Sequence, residues 1–313
     1  TSLFSAGMQF NKKLINYSAI TVYLGMICFF FVVLLSDVKI TTNAFLNILR
    51  FENFLDINNL APLLTVAGTI FAYFSILIIS FGDYSRYIKN NDDLKKGNLS
   101  LILNLIIFSF FSVFIVTGSD VFLNQKFSDL DRIFTNPTDI IGKFDNIQIT
   151  IIVLFFIIVA SSSTNLAANF IPSQYSLINF IPSKLSLRSS SYLISFFGLL
   201  IAVFWLTILS QIGILSFIDT FGAFFGPIFG VMVADYYLIK NEELSNKDLY
   251  SIDRDSAYYY SRGWHIKGVY SLVIGFIFSA STIWNTNLMF LQSYAWIIGA
   301  FIAWITYYLL AKK

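Results

Sequence analysis

Apolar runs alternate with short polar clusters along this chain, and this alternation predicts membrane-spanning helices. The runs are about 20 residues long, which is the length that a helix needs to cross a hydrocarbon core of roughly 30 Å. Lipid offers no partners to backbone N–H and C=O groups, so each run must satisfy its hydrogen bonds internally. We therefore predict an all-α integral membrane protein.

About eight runs have this length. Their predicted bounds are 15–36, 60–81, 101–122, 147–170, 192–209, 212–239, 266–283 and 294–310. Residues 173–190 are more polar, and we expect them to lie at the membrane interface or to form a short connecting helix. The polar stretches between the runs leave no room for a soluble domain.

Composition agrees with the pattern and excludes a soluble protein. The chain is 57% hydrophobic and 12% charged, whereas soluble domains carry roughly 25% charged residues. The net charge is +2 and no basic patch interleaved with aromatic residues is present, so we expect the lipid bilayer as a partner and no nucleic acid. The single cysteine, Cys28, lies in an apolar run and excludes a disulfide framework.

The basic residues predict an orientation. Fifteen of the 20 Lys and Arg residues fall on one side of the eight runs, and the other side holds five: Lys39, Arg50, Lys126, Arg132 and Lys143. The richer side is expected to be cytoplasmic. We expect a multi-pass protein of a plasma membrane, the inner membrane of a bacterium.

Groups for enzyme chemistry are scarce. His265 is the only histidine and is expected to anchor a helix start at the interface. Asp219 and Asp235 lie near the two ends of the sixth run, where we expect them to cap or anchor the helix. No spacing for a metal site and no Gly-rich phosphate loop is present, so we predict neither an enzyme nor a cofactor other than a coupling ion.

The fourth run contains a polar stretch from Ala160 to Asn169. Ala160, Ser163 and Thr164 are related as i, i+3 and i+4 and share one helical face. Two hydroxyls and a carbonyl on one face suit Na⁺, with further oxygen ligands from a broken helix. The alternative is structural, because small and hydroxylated residues also let membrane helices approach closely.

Asn169 offers a paired donor and acceptor, which suits the amide or imide edge of a planar substrate. In a regular helix it lies roughly 140° around the axis from Thr164, so the helix is distorted here or the substrate lies partly around it. Glycines 222, 226 and 230 of the sixth run are four apart and flank Pro227. They favour tight helix packing, with a hinge or gate as the alternative.

Three segments resemble the nucleobase–cation symporters, a family that includes hydantoin, allantoin, uracil and cytosine permeases. They are ASSSTNLAANFIPSQYSL at 160–177, FGPIFGVMVADYYLIKNEELSNKDLY at 225–250, and ISFGDYSRY at 79–87. The resemblance covers nearly the whole chain. It implies an inverted five-helix-repeat transporter fold of twelve helices, of which this chain holds helices five to twelve.

The resemblance implies a partial transmembrane transporter domain over 1–313. Residues 60–239 would form the second inverted repeat, and residues 240–313 two C-terminal helices. The opening TSLFSAGMQF looks like the end of a helix, so we expect the chain to be a piece of a longer protein. The family's helices one and three, which contribute to the cation and substrate sites, would lie outside it.

The resemblance also implies roles for individual residues. Ala160, Ser163 and Thr164 match the family's cation ligands, and Asn169 matches its substrate-contacting asparagine. Phe74 stands where the family has a stacking tryptophan, although spacing alone does not single it out. Leu166 stands where some relatives have a proline, so we expect a more regular helix at that point.

The expected function is import of a small nucleobase or related planar ureide, coupled to Na⁺ or H⁺. Two alternatives are an amino-acid or other organic-cation carrier on the same fold, and a non-transporting membrane scaffold. The sequence leaves the substrate, the coupling ion and the oligomeric state open.

Overall fold

The computed structural model describes residues 8–50, 57–85, 88–126, 137–143, 146–204, 214–251 and 253–312, and these are mainly helical. The first half holds α1 (Met8–Ser36), α2 (Val38–Ile48), α3 (Ile57–Ile79), α4 (Phe81–Ser85), α5 (Asn91–Lys126) and α6 (Pro137–Ile141). The second half holds α7 (Ile147–Thr164), α8 (Ile171–Phe180), α9 (Leu187–Phe204), α10 (Ile214–Val233), α11 (Ile266–Trp284) and α12 (Ala295–Ala311).

Where the structure describes the chain, two π-helical segments interrupt this series. The first segment, Asn165–Phe170, joins α7 to α8, and the second, Ala234–Ile239, follows α10. A 3₁₀ helix, Thr286–Tyr294, leads into α12. A π-helix bonds residue i to residue i+5 and is rare, and it occurs frequently at functional sites.

Among the described residues, eight helices are long and apolar enough to cross a membrane. Their bounds are Lys13–Ser36, Leu60–Ile79, Asn91–Val121, Ile147–Phe180, Leu187–Phe204, Phe217–Ile239, Ile266–Trp284 and Thr286–Ala311. The all-α membrane fold class and the count of eight spans are therefore confirmed. The stretch between 205 and 213, where the predicted fifth run ends and the sixth begins, lies outside the described residues.

The chain divides into two compact units. The first unit comprises residues 1–52 and 83–198, and the second comprises residues 53–82 and 199–313. The predicted bounds of the inverted repeat, 60–239, stay a prediction.

In the first unit, helices α1, α2, α5 and α7 pack around a buried apolar cluster. Phe29 and Val33 of α1 meet Phe45 of α2 and Phe114 of α5 there. Gly25 permits a close approach of α1 to α7, because a Cβ at that position would lie 2.5 Å from the Cβ of Phe156.

The second unit is built around α10. Gly222 packs on Ala72 of α3, and Gly226 and Gly230 pack on the backbone of Trp296 and Ala300 in α12. A methyl group at either of the last two glycines would collide with a backbone carbonyl, so the glycine spacing serves tight packing.

Candidate substrate and cation site

Helix α7 carries three of the five predicted site residues, the π-helical segment that follows it carries Asn169, and α7 has a defined start. The Asn146 side chain accepts hydrogen bonds from the N–H groups of Gln148 and Ile149, both at 3.1 Å. This N-cap satisfies two of the four unpaired donors of the first turn. The apolar run then continues the helix to Thr164.

The three predicted cation ligands lie at the end of α7 on one face. Ser163 Oγ donates to the Ala160 carbonyl over 3.1 Å, so two of the three oxygen groups are in contact. Ala160 and Ser163 are half-buried and Thr164 is exposed. A hydroxyl that donates its proton keeps its lone pairs, so this donor set fits a hard cation that prefers oxygen.

The helix becomes π-helical directly after Thr164, and the expectation of a regular helix at Leu166 is wrong. The segment closes with a bond from the Ile171 N–H to the Leu166 carbonyl, five residues back. Because each turn is wider, a residue five positions on returns closer to the same side. The distortion thus reduces the roughly 140° that separates Asn169 from Thr164 in a regular α-helix.

Packing of the Leu166 side chain stabilises the first π-helical segment, which contains no proline. Its side chain is only 7% exposed and forms a small apolar cluster with Ile171. Leu14, from α1, and Tyr175, from α8, pack against this cluster. Burial of this one side chain fixes the inner face of the segment, and the polar side chains remain outside.

Asn169 is exposed and has a partner that sequence reasoning did not single out. Its Nδ2 donates to Asn165 Oδ1 over 2.7 Å, and Asn165 is exposed as well. Two paired carboxamides present more donors and acceptors than one. The signal in the sequence was the repeat of Asn after four residues within the polar stretch.

Phe74 lies on α3 in the second unit, whereas Ala160, Ser163, Thr164 and Asn169 lie in the first. Four of the predicted residues therefore lie on α7 and the π-helical segment that follows it, in the first unit. Phe74 lies in the second unit. Its half-buried ring packs edge-to-face on Tyr73, with centroids 5.1 Å apart and an interplanar angle of 85°.

A polar network in the second unit was missed by sequence reasoning. Asp235, in the second π-helical segment, forms an ion pair with Lys240 at 2.8 Å. Its other oxygen accepts from the Tyr307 hydroxyl at 2.6 Å, and Tyr307 contacts His265 Nε2 at 2.9 Å. Tyr307 is 42 residues from His265 and 72 residues from Asp235 along the chain, so no local sequence pattern indicates these contacts.

The direction of the hydrogen bonds in this network follows from His265. Its Nδ1 accepts from the Gly268 N–H at 3.2 Å and caps α11, so the neutral ring carries its proton on Nε2. That N–H donates to Tyr307, which in turn donates to Asp235. Burial lowers the pKa of His265 from its usual 6.5, with smaller contributions from Lys240 and Lys267, and Asp235 opposes the shift.

These four residues line an open cavity of about 970 Å³. Aromatic side chains at Tyr258, Tyr260 and Trp264 complete its wall. The Lys240 ammonium lies 4.3 Å from the centre of the Tyr258 ring. This ammonium is thus held by an acid and an aromatic ring, and the network ties the ends of α10, α11 and α12 together.

A family model described as permeases for cytosine/purines, uracil, thiamine and allantoin matches residues 6–299 of the chain. The allantoin permease of Bacillus subtilis is 26% identical over 78% of this chain and 48% of its own length. The purine-uracil permease NCS1 of Arabidopsis thaliana is 26% identical over 77% of this chain and 41% of its own length.

The chain spans about half the length of the curated relatives that it matches. A solved structure of Mhp1 in an inward-facing conformation is 18% identical, with a TM-score of 0.48 over 94% of this chain and 74% of that one.

Proposed function

The chain belongs to the family of permeases for cytosine/purines, uracil, thiamine and allantoin, and from that premise we propose that it is part of a secondary active transporter. The cargo is a nucleobase or a related planar ureide, and the coupling ion is Na⁺ or H⁺. The family is one of permeases and not of enzymes. The protein is a multi-pass membrane protein, and we place it in a plasma membrane.

The observation that carries the site assignment is the polar end of α7. The Ala160 carbonyl and the Ser163 and Thr164 hydroxyls bind the cation, with its remaining ligands supplied by another helix. Asn169 hydrogen-bonds the amide edge of the substrate through its paired donor and acceptor.

Phe74 stacks on the planar ring of the substrate in this proposal, as aromatic side chains do with flat partners. The indole N–H that a tryptophan offers is absent from phenylalanine. Substrate choice therefore depends more on Asn169 and its neighbour Asn165 than on the ring.

Cation and substrate are coupled because they bind consecutive turns of one segment. A cation on Ser163 and Thr164 orders the end of α7, and this ordering positions the first π-helical segment for the substrate. The coupling is reciprocal, so substrate raises the affinity for the cation by the same factor.

The test is sodium-driven uptake of labelled uracil, allantoin, hydantoin and cytosine by the full-length protein in proteoliposomes. The double variant Ser163→Ala, Thr164→Ala is expected to lose sodium-dependent uptake. Ser161→Ala, Ser162→Ala is the matched control, because it removes the same number of hydroxyls from other positions of the same stretch and is expected to transport normally.

Undiminished uptake by the first variant contradicts the cation assignment. Uptake of labelled amino acids, with no uptake of any of the four labelled compounds, contradicts the substrate class and favours an amino-acid carrier. A protein that takes up none of these compounds and gains no thermal stability from them is a scaffold.

A further inference from the structure

Asp219 is a buried carboxyl that the proposed transport site does not use. It lies in α10 inside the candidate span Phe217–Ile239, and it is only 2% exposed. Ionisable side chains inside membrane spans are rare, and by default they indicate a function.

Hydrogen bonding satisfies only one side of this carboxyl. Gln292 Nε2 donates to Asp219 Oδ2 over 3.1 Å, whereas Oδ1 is buried without a hydrogen-bond partner. The indole nitrogen of Trp296, one turn after Gln292, is also buried without one. An ionised carboxylate accepts hydrogen bonds at both oxygens, and the surrounding residues donate a hydrogen bond to only one of them.

The buried hydroxyls in the second half of α11 are already engaged with the backbone. Ser279 Oγ donates to the Ala223 carbonyl at 2.8 Å, and Thr282 Oγ1 donates to the Ser279 carbonyl at 2.7 Å. Both side chains are buried. Neither hydroxyl therefore donates to the open oxygen of Asp219 in this arrangement.

Positive charge is distant among the described residues of the elements packed on α10. Helices α3 and α12 and the 3₁₀ helix carry none, and α11 carries Lys267 alone. Helices α10 and α11 run antiparallel, since Ala223 lies against Ser279 and Pro227 against Gly275. Lys267 is therefore twelve residues, or roughly 18 Å, along α11 from Ser279.

The other titratable groups on these elements do not neutralise Asp219 either. A phenol carries no positive charge in either of its forms, and this applies to Tyr73 on α3, Tyr270 on α11, Tyr294 in the 3₁₀ helix and Tyr308 on α12. Tyr307, His265 and Asp235 belong to the network at the other end of α10. Asp219 thus has one neutral donor as its partner and no counter-ion among the described residues.

We propose that the Asp219 carboxyl is a proton-binding site of the second unit, occupied at neutral pH by a proton on Oδ1 that exchanges with water. A neutral carboxyl keeps the Gln292 bond at Oδ2 and removes a buried charge that nothing nearby offsets. Release of the proton leaves a carboxylate that must recruit water or a cation between α10 and the start of α12. Proton occupancy is thereby linked to the packing of these two helices.

The test is infrared spectroscopy of the full-length protein in liposomes at neutral pH. The wild type is expected to show the C=O stretch of a protonated carboxyl, and this band is expected to be lost in Asp219→Asn and to shift in Asp219→Glu. Asp235→Asn is the matched control in the same candidate span, because Asp235 is ion-paired with Lys240, and it is expected to keep the band. Raising the pH is expected to remove the band from the wild type.

A wild-type spectrum without a protonated carboxyl overturns the proposal, as does a band that survives both Asp219 substitutions unchanged. The spectra are recorded in sodium and in choline buffers and are expected to agree. A band seen only in choline would show that sodium holds the carboxylate in place of a proton, and it would overturn the proposal as well. None of these readouts requires transport, so they are independent of the function proposed above.

Discussion

The two π-helical segments have the same length and both follow a long apolar helix, but they are held in different ways. The first, Asn165–Phe170, is fixed by one buried side chain, Leu166, and presents an exposed pair of carboxamides. The second, Ala234–Ile239, is fixed by Asp235, whose two oxygens bind Lys240 and Tyr307.

The difference shows that the same backbone distortion can be accompanied by two different sets of side-chain contacts. In the first segment it leaves two carboxamides, Asn165 and Asn169, exposed and bonded to each other. In the second it brings a carboxylate to a tyrosine and a lysine that fasten the helix end. Asn165 and Asn169 share one exposed hydrogen bond, whereas Asp235 has an ion pair and a hydrogen bond, so we expect the first segment to open more easily than the second.

The largest expected effect comes from removing the attachment of the second segment. Asp235→Asn eliminates the charge that holds Lys240 and weakens the bond from Tyr307. Because hydrogen bonds to charged groups are the strong ones, we expect the free energy of unfolding to fall by about 2–3 kcal/mol. Denaturant titration of the detergent-solubilised protein measures it.

Asp253→Asn is the matched control for this substitution. Asp253 accepts a hydrogen bond from Ser251 in an exposed loop, where a single contact contributes little. We expect a change below about 0.5 kcal/mol. Equal losses in the two variants would show that Asp235 does not fasten the second segment.

Tight packing just before the second segment is expected to contribute slightly less. A Cβ at Gly230 would collide with the Ala300 carbonyl, so Gly230→Ala forces α10 away from α12. We expect a loss of about 1–2 kcal/mol in the same titration. At Gly198 nothing lies within 4 Å of an added Cβ, so Gly198→Ala is expected to stabilise its helix by up to about 1 kcal/mol.

The sequence predicts the spans well because hydrocarbon thickness fixes the length of a crossing helix. It also places Ala160, Ser163 and Thr164 on one face, because that inference needs only the helical period. The regular helix expected at Leu166 was wrong, since the burial of that side chain against Leu14 depends on tertiary packing. Leu14 and Leu166 are 152 residues apart, so the sequence around Leu166 alone does not predict their contact.

The same limit applies to the polar network. Asp235 and His265 were expected to anchor helix ends, and both contact the backbone or side chains of helix ends. Their common partner, Tyr307, lies in the last apolar run among many aromatic residues. Nothing in its neighbourhood along the chain distinguishes it, so only the fold identifies it.

The network also predicts a pH dependence. His265 has a lowered pKa in the folded protein, so the unfolded chain binds more protons as the pH falls through 6.5. Its contribution to stability is complete above 6.5 and is lost below it, because a protonated Nδ1 no longer accepts from Gly268. We expect the loss to stay under about 1 kcal/mol, since the ring is partly exposed and screened.

His265→Asn isolates this contribution. Asparagine is a good N-cap residue and does not titrate, so α11 keeps its cap while the pH response disappears. The measurement is the denaturant midpoint of both proteins between about pH 8 and pH 5, the range in which histidine titrates. Parallel curves would contradict the assignment of the pH response to His265.

The smallest effect on stability is expected at the first segment. Asn165→Ala removes an exposed side-chain bond to Asn169, so the free energy of unfolding should change by less than about 0.5 kcal/mol. Backbone amides of residues 165–170 are nevertheless expected to exchange hydrogen faster, because the pair orders the outer face of the segment. Asn165→Asp keeps an acceptor for Asn169 Nδ2 and should restore slow exchange. A loss of stability as large as that of Asp235→Asn would show that both π-helical segments are fastened alike, and the contrast between them would not hold.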